Sequence, residues 1–196
     1  MRHTPIYKQS IYKKKQLLEQ YETWMLKEIL RNDCRAYLVT FMWKPNDYSN
    51  DLRMKIMKED VTSFYSRLLR RAVRKPNSQN GIPKRPLFIA APDFPFTKKD
   101  KKIRLVYIND GLHMHAVCVI QKNTRFKGKL KSHIRRNIEH YMKYNQFADI
   151  HVRTIAKDGN FTGGYNLKSI RLGRCSLDDI LVLPKTTSEM RTIKYL

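Results

Sequence analysis

Asn109-Asp110-Gly111 separates two β-prone runs, Ile103 to Ile108 and Leu112 to Gln121. Asp-Gly reaches the left-handed backbone that a tight turn demands, so the segment predicts a β-hairpin and with it antiparallel pairing. Three further runs rich in β-branched and aromatic residues read as strands: Arg35 to Trp43 (RAYLVTFMW), Leu87 to Ala91 and Ala148 to Ala156. Helical spacing alternates with them. Leu18, Tyr21, Met25 and Ile29 mark a helix over Gln16 to Leu30. Val61, Phe64, Tyr65, Leu68, Leu69 and Ala72 mark a second, whose other face carries Arg67, Arg70 and Arg71, with Arg74 just beyond. A basic helix is predicted over Ser132 to Tyr144, with Ile134, Ile138 and Tyr141 on one side. Proline- and glycine-bearing stretches, Lys75 to Pro86 and Pro92 to Lys102, read as loops. Lys157 to Asn160 is a turn, and a short helix is predicted to begin near Tyr165. The pattern gives an α+β fold, a central antiparallel sheet flanked by helices.

A length of 196 residues suits one domain. The expected division is a basic arm and N-terminal helix over 1–34, a catalytic domain over 35–172 and a C-terminal extension over 173–196 broken by Pro184. Forty Lys and Arg against 17 Asp and Glu give a formal charge of +23, a field that favours a polyanionic partner. Cys34, Cys118 and Cys175 are odd in number and widely spaced, which argues against a disulfide framework or a cysteine zinc site and for an intracellular, reducing setting. Met1 to Lys15 has no apolar core of a signal peptide, and no stretch approaches the length of a membrane span. The chain has no glycine-rich phosphate loop, so duplex opening is expected from a separate helicase.

The chemistry concentrates in Gly111-Leu112-His113-Met114-His115-Ala116-Val117. Side chains alternate along a strand, so His113 and His115 share a face about 7 Å apart along the chain, while Met114, Ala116 and Cys118 point the other way. Two imidazoles on one strand can chelate one metal ion with a third ligand from another element. The bland alternative is a pair of polar residues on a half-buried sheet.

The second constellation is Gly163-Gly164-Tyr165-Asn166-Leu167-Lys168. Tyr165 and Lys168, three apart, share a face if helical. A tyrosine phenol attacks a phosphodiester to form a covalent phosphotyrosine, and a nearby cation stabilises the developing charge. A metal would polarise the scissile phosphate. Chance alone also produces Tyr-x-x-Lys in a lysine-rich chain with eleven tyrosines.

Taken in order, these motifs resemble the HUH endonuclease superfamily, in particular its single-tyrosine rolling-circle replication initiators. Tyr37-Leu38-Val39-Thr40-Phe41 looks like the family's hydrophobic strand with threonine, His113-Met114-His115 like its histidine-hydrophobic-histidine motif, and Tyr165 to Lys168 like its Tyr-x-x-Lys motif. The resemblance spans residues 35 to 172. It implies histidines on a middle strand, Mg²⁺ or Mn²⁺, a 5′-phosphotyrosine and a 3′-hydroxyl, with single-stranded or hairpin DNA at an origin or element end as substrate. The family's third metal ligand is an acid on a neighbouring strand. Ile103 to Ile108 offers none, which leaves Asp93 as first candidate, Asp110 next, and Asp149 or His151 as outsiders.

Arg135, Arg136 and Lys143 on the basic helix, with Arg70, Arg71 and Arg74, are the expected phosphate-tracking residues, and Lys98 to Arg104 a further basic loop. Three other readings stand beside the replication initiator: a single-tyrosine transposase or relaxase of the same superfamily, a non-catalytic basic nucleic-acid-binding protein, and a metal-independent RNA nuclease using the histidines as acid and base.

Overall fold

A computed structural model of the chain describes residues 6–44, 46–93, 113–126, 128–157 and 163–185, with side chains from residue 12 on. The run of alternating burial over Cys34–Trp43 forms β1. Leu87–Asp93 forms β2, His113–Gln121 β3, Phe147–Thr154 β4 and Leu181–Leu183 β5. They make one sheet in the order β4-β1-β3-β2-β5, antiparallel at every junction. The expected run Ile103 to Ile108 and its turn at Asn109 to Gly111 lie outside the described residues.

β3 is the middle strand, and Met114 to Ile120 is buried without interruption. A strand that alternates polar and apolar in a one-sided sheet cannot show this pattern; helices cover both faces here. One face packs Met114, Ala116, Cys118 and Ile120 against α2 (Asn50–Ala72), α3 (Leu130–Arg136) and α4 (Ile138–Met142). Phe64 of α2 sits at its centre, with its ring 4.9 Å from both Phe41 and Tyr141. The other face packs Val117 and Val119 against Leu18, Met25 and Ile29 of α1 (Ile6–Leu30) and Ile170 of α5 (Lys168–Arg171). The histidines of β3 belong to this second face by parity.

Several expectations are corrected. Helix α1 begins at Ile6, inside the stretch expected to be a loose arm. The strand expected to stop before Pro92 runs on through it, with Pro92 opposite Met114 and Asp93 opposite His113. Proline is tolerated because β5 pairs only with Phe88 to Ala90, so β2 is locally an edge where Pro92 sits. The single basic helix is broken at Asn137, whose φ of −122° leaves the helical region and whose side-chain amide donates to the His133 carbonyl at 2.8 Å. Past residue 173 the chain adds β5 to the sheet, with Leu181 and Leu183 buried in the core.

Candidate metal centre

Asp93 at the end of β2 is the cross-strand partner of His113 at the start of β3. His115 lies two residues further along β3, opposite Thr40 of β1. All four side chains therefore rise from one face across three adjacent strands. The two Nε2 atoms of His113 and His115 are 3.0 Å apart. Asp93 Oδ2 lies 3.6 Å from the first and 3.7 Å from the second. Three donors at these separations share a point about 2 Å from each, the length of a metal–nitrogen or metal–oxygen bond. Asp93, His113 and His115 could thus hold a metal ion.

The surroundings prepare these ligands. His115 is only 5% exposed. Its burial, then the charge of His113 and that of Lys168, push the imidazole down to about 4, against the opposing pull of Asp93. It is neutral at physiological pH and needs to lose no proton to bind a cation. Its Nδ1 is 2.9 Å from Thr40 Oγ1. With Nδ1–H donating to that hydroxyl, the lone pair falls on Nε2, the atom facing His113 and Asp93. On the acidic side, the buried Ser169 hydroxyl donates to Asp93 Oδ1, leaving Oδ2 toward the histidines.

Tyr165 sits beside this group, its ring centroid 5.3 Å from that of His115, and the side chain is 49% exposed. A 3₁₀ turn over Gly163–Tyr165 carries it, and Lys168 begins α5 after an intervening turn. The two residues do not share one continuous helix as expected. What fixes the tyrosine is the next two residues. Asn166 is buried and its amide donates to the Ile89 carbonyl at 3.1 Å, tying the turn to β2, while Leu167 is wholly buried under α1. A side chain at Gly164 would meet the ion pair between Arg171 of α5 and Glu22 of α1, with Cβ 2.8 Å from Arg171 Nη2 and 2.9 Å from Glu22 Oε1. Glycine there admits a close approach of the turn to this ion pair. Lys168 is exposed and near enough for its charge to act on His115.

Of the sequence-derived candidates, the structure brings together Asp93, His113, His115, Tyr165 and Lys168. Asp110 and the Lys98 to Arg104 loop lie outside the described residues. Asp149 and His151 stand on β4, opposite Met42 and Thr40, so β1 separates them from the histidines. The expected phosphate-tracking residues fall elsewhere. Arg70, Arg71, Arg74, Arg135, Arg136 and Lys143 belong to α2, α3, α4 and their ends, on the opposite face of the sheet. Arg67 has a structural task, donating to the His140 carbonyl at 2.7 Å and to that of Lys143 at the end of α4.

Two contributors had no role assigned from the sequence. Thr40 lay within the strand motif, and its position opposite His115 is a matter of register. Ser169 follows Lys168 with no signal of its own; only the fold brings it to Asp93.

Searches against protein-family models, curated proteins and solved structures return no match to this chain. Among the described residues, no helix is long and apolar enough to cross a membrane.

Proposed function

We propose that this chain is a metal-dependent single-stranded DNA endonuclease and strand transferase of the HUH type, which nicks DNA through a 5′-phosphotyrosine to initiate rolling-circle replication of a mobile element, plasmid or virus. The observation that carries this reading is Tyr165, half exposed, with its ring 5.3 Å from that of a histidine in an Asp-His-His group. A five-stranded antiparallel sheet with both histidines on its middle strand supports the same assignment. The charge of +23 supports a nucleic-acid substrate.

In the proposed reaction the Tyr165 phenolic oxygen attacks a backbone phosphorus. A bond from tyrosine to phosphorus forms, the bond to the 3′-oxygen breaks, and a 3′-hydroxyl leaves carrying a proton, while the phenol proton passes to solvent. Asp93, His113 and His115 would hold Mg²⁺ or Mn²⁺, which supplies Lewis-acid polarisation of the phosphate when bound. Lys168 offers a cation beside the reacting group, where negative charge develops. Thr40 and Ser169 orient the ligands, and Asn166 and Leu167 hold the turn that presents the nucleophile. Reversal by a 3′-hydroxyl rejoins the strand without ATP, because the phosphotyrosine keeps the bond energy. A separate helicase would open the duplex. A single-tyrosine transposase or relaxase would use the same residues and differ in the DNA it recognises.

The test is a denaturing gel of protein mixed with random and hairpin single-stranded DNA, with Mn²⁺ or with EDTA. A Mn²⁺-dependent covalent adduct, lost in Tyr165→Phe while DNA binding persists, is the expected outcome. An adduct that survives in the phenylalanine variant refutes the role of Tyr165. Equal activity in EDTA refutes the metal.

A further inference from the structure

The second half of α2, α3 and α4, with Arg125 between them, form one cationic surface, on the face of the sheet away from the metal centre. No acid occurs from Val61 to Lys75, and Glu139 is the only one from Lys122 to Ala148. Arg70, Arg71, Arg74, Arg135, Arg136 and Lys143 are exposed. The pieces are joined physically. Arg125 donates from its backbone to the Ala72 carbonyl and from its side chain to that of Arg70. Arg67 of α2 holds the end of α4. The charge of Arg71 reaches both His133 on α3 and His140 on α4, and Arg136 also acts on His133. Like charges gathered this closely repel, and a polyanion relieves that repulsion.

We propose that this surface is a second nucleic-acid site, separate from the metal centre, that takes a double helix through its phosphates. The form of the surface selects the duplex. Single strands are held by rows of exposed aromatic rings. Among the described residues of this face, Tyr144 is the only exposed Phe, Tyr or Trp, 83% accessible, with Arg67 at 5.7 Å and Lys143 at 4.9 Å from its centroid, and His140 adds one exposed imidazole. The remainder is rigid helix bearing cations. Arg67 to Ala72 spans about 8 Å of helix, over which a duplex carries about four phosphates. The sheet lies between this surface and Tyr165, so the strand at the metal centre is not the one held here.

The experiment measures binding in EDTA of DNA and RNA duplexes of about 20 base pairs, between about 50 and 200 mM salt. Four proteins are compared: the unaltered chain, His113→Ala/His115→Ala, Arg70→Gln/Arg74→Gln/Arg135→Gln, and Lys13→Gln/Lys15→Gln/Lys27→Gln. The arginines chosen make no side-chain hydrogen bond to a described residue, and circular dichroism verifies folding. The last variant removes equal charge from α1, on the other face. The histidine variant should bind as the unaltered chain does. The arginine variant should bind at least tenfold more weakly, with a log–log salt slope shallower by about 2.7 for three lost phosphate contacts, and the lysine variant should change far less. Whichever duplex binds more tightly names the source of the phosphates. Equal losses in the arginine and lysine variants would reduce the effect to net charge and overturn the site. So would loss of binding in the histidine variant, or a preference for single strands that the arginine variant leaves unchanged. None of these outcomes depends on whether Tyr165 forms an adduct.

Discussion

Replacing Thr40 by valine keeps the β-branched shape of the side chain and removes one hydroxyl from β1. That hydroxyl lies 2.9 Å from His115 Nδ1, inside a site where His115 is 5% exposed. With the partner gone, the neutral imidazole has two states. It can keep Nδ1–H as a buried donor without a partner, at a cost of about 1–3 kcal/mol. Otherwise it moves the proton to Nε2 and stops being a ligand at the atom that faces Asp93 and His113. Either route weakens metal binding without touching a ligand. The loss should be about 10- to 100-fold in Mn²⁺ affinity, as for other groups that orient a histidine ligand, or about 1.4–2.7 kcal/mol. Titration calorimetry at pH 7.5 reads the affinity, and thermal unfolding of the metal-free variant shows that the fold is kept. Nitrogen chemical shifts of His115 report the tautomer. An affinity within twofold of the unaltered protein, with His115 still protonated at Nδ1, would refute the argument that Thr40 sets the ligand.

Asp93→Asn should lower Mn²⁺ affinity by more than 100-fold, since it removes the only anionic member of the group. Ser169→Ala, which removes the donor to the other carboxylate oxygen, should cost about tenfold in the same titration; an unchanged affinity in Asp93→Asn would remove Asp93 from the site. A pH prediction concerns His133, buried, stacked on Phe126 and 2.9 Å from the Tyr141 hydroxyl. Burial, then Arg71, Arg136 and His140, push it down to about 4 from an ordinary 6.5. The unfolded chain therefore binds more protons between these values. Stability is full above about pH 6.5 and falls as pH drops toward 4, by about 3 kcal/mol from this residue. In the metal-free protein His115 acts in the same direction. Urea midpoints measured from pH 7 to 5 should fall steadily, and less steeply in His133→Gln; a flat profile would refute the assignment.

The amino-acid sequence by itself determined most of the helices and strands and the reactive side chains they carry. Val61 to Ala72 could bury one face only as a helix, and Arg35 to Trp43 could alternate its burial only as a strand. Alternation alone put His113 and His115 on one side and Met114, Ala116 and Cys118 on the other, because the side-chain period of a strand is fixed locally. Tertiary structure decided everything that depends on which strands are neighbours. Pairing of β2 with β3 sets Asp93 opposite His113 and so brings one acid into a group with the two histidines, and pairing of β1 with β3 brings Thr40 to His115. Residues distant in sequence meet only through strand pairing and register, which are settled by burial across the whole sheet. The same holds for the cations. Arg70 and Arg135 read from sequence as phosphate-tracking residues; the face they occupy was decided by α2 and α3, which bury their apolar sides against the side of the sheet away from the histidines. Tyr165 and Lys168 meet the histidines without a shared helix, because Asn166 and Leu167 anchor their turn to β2 and α1.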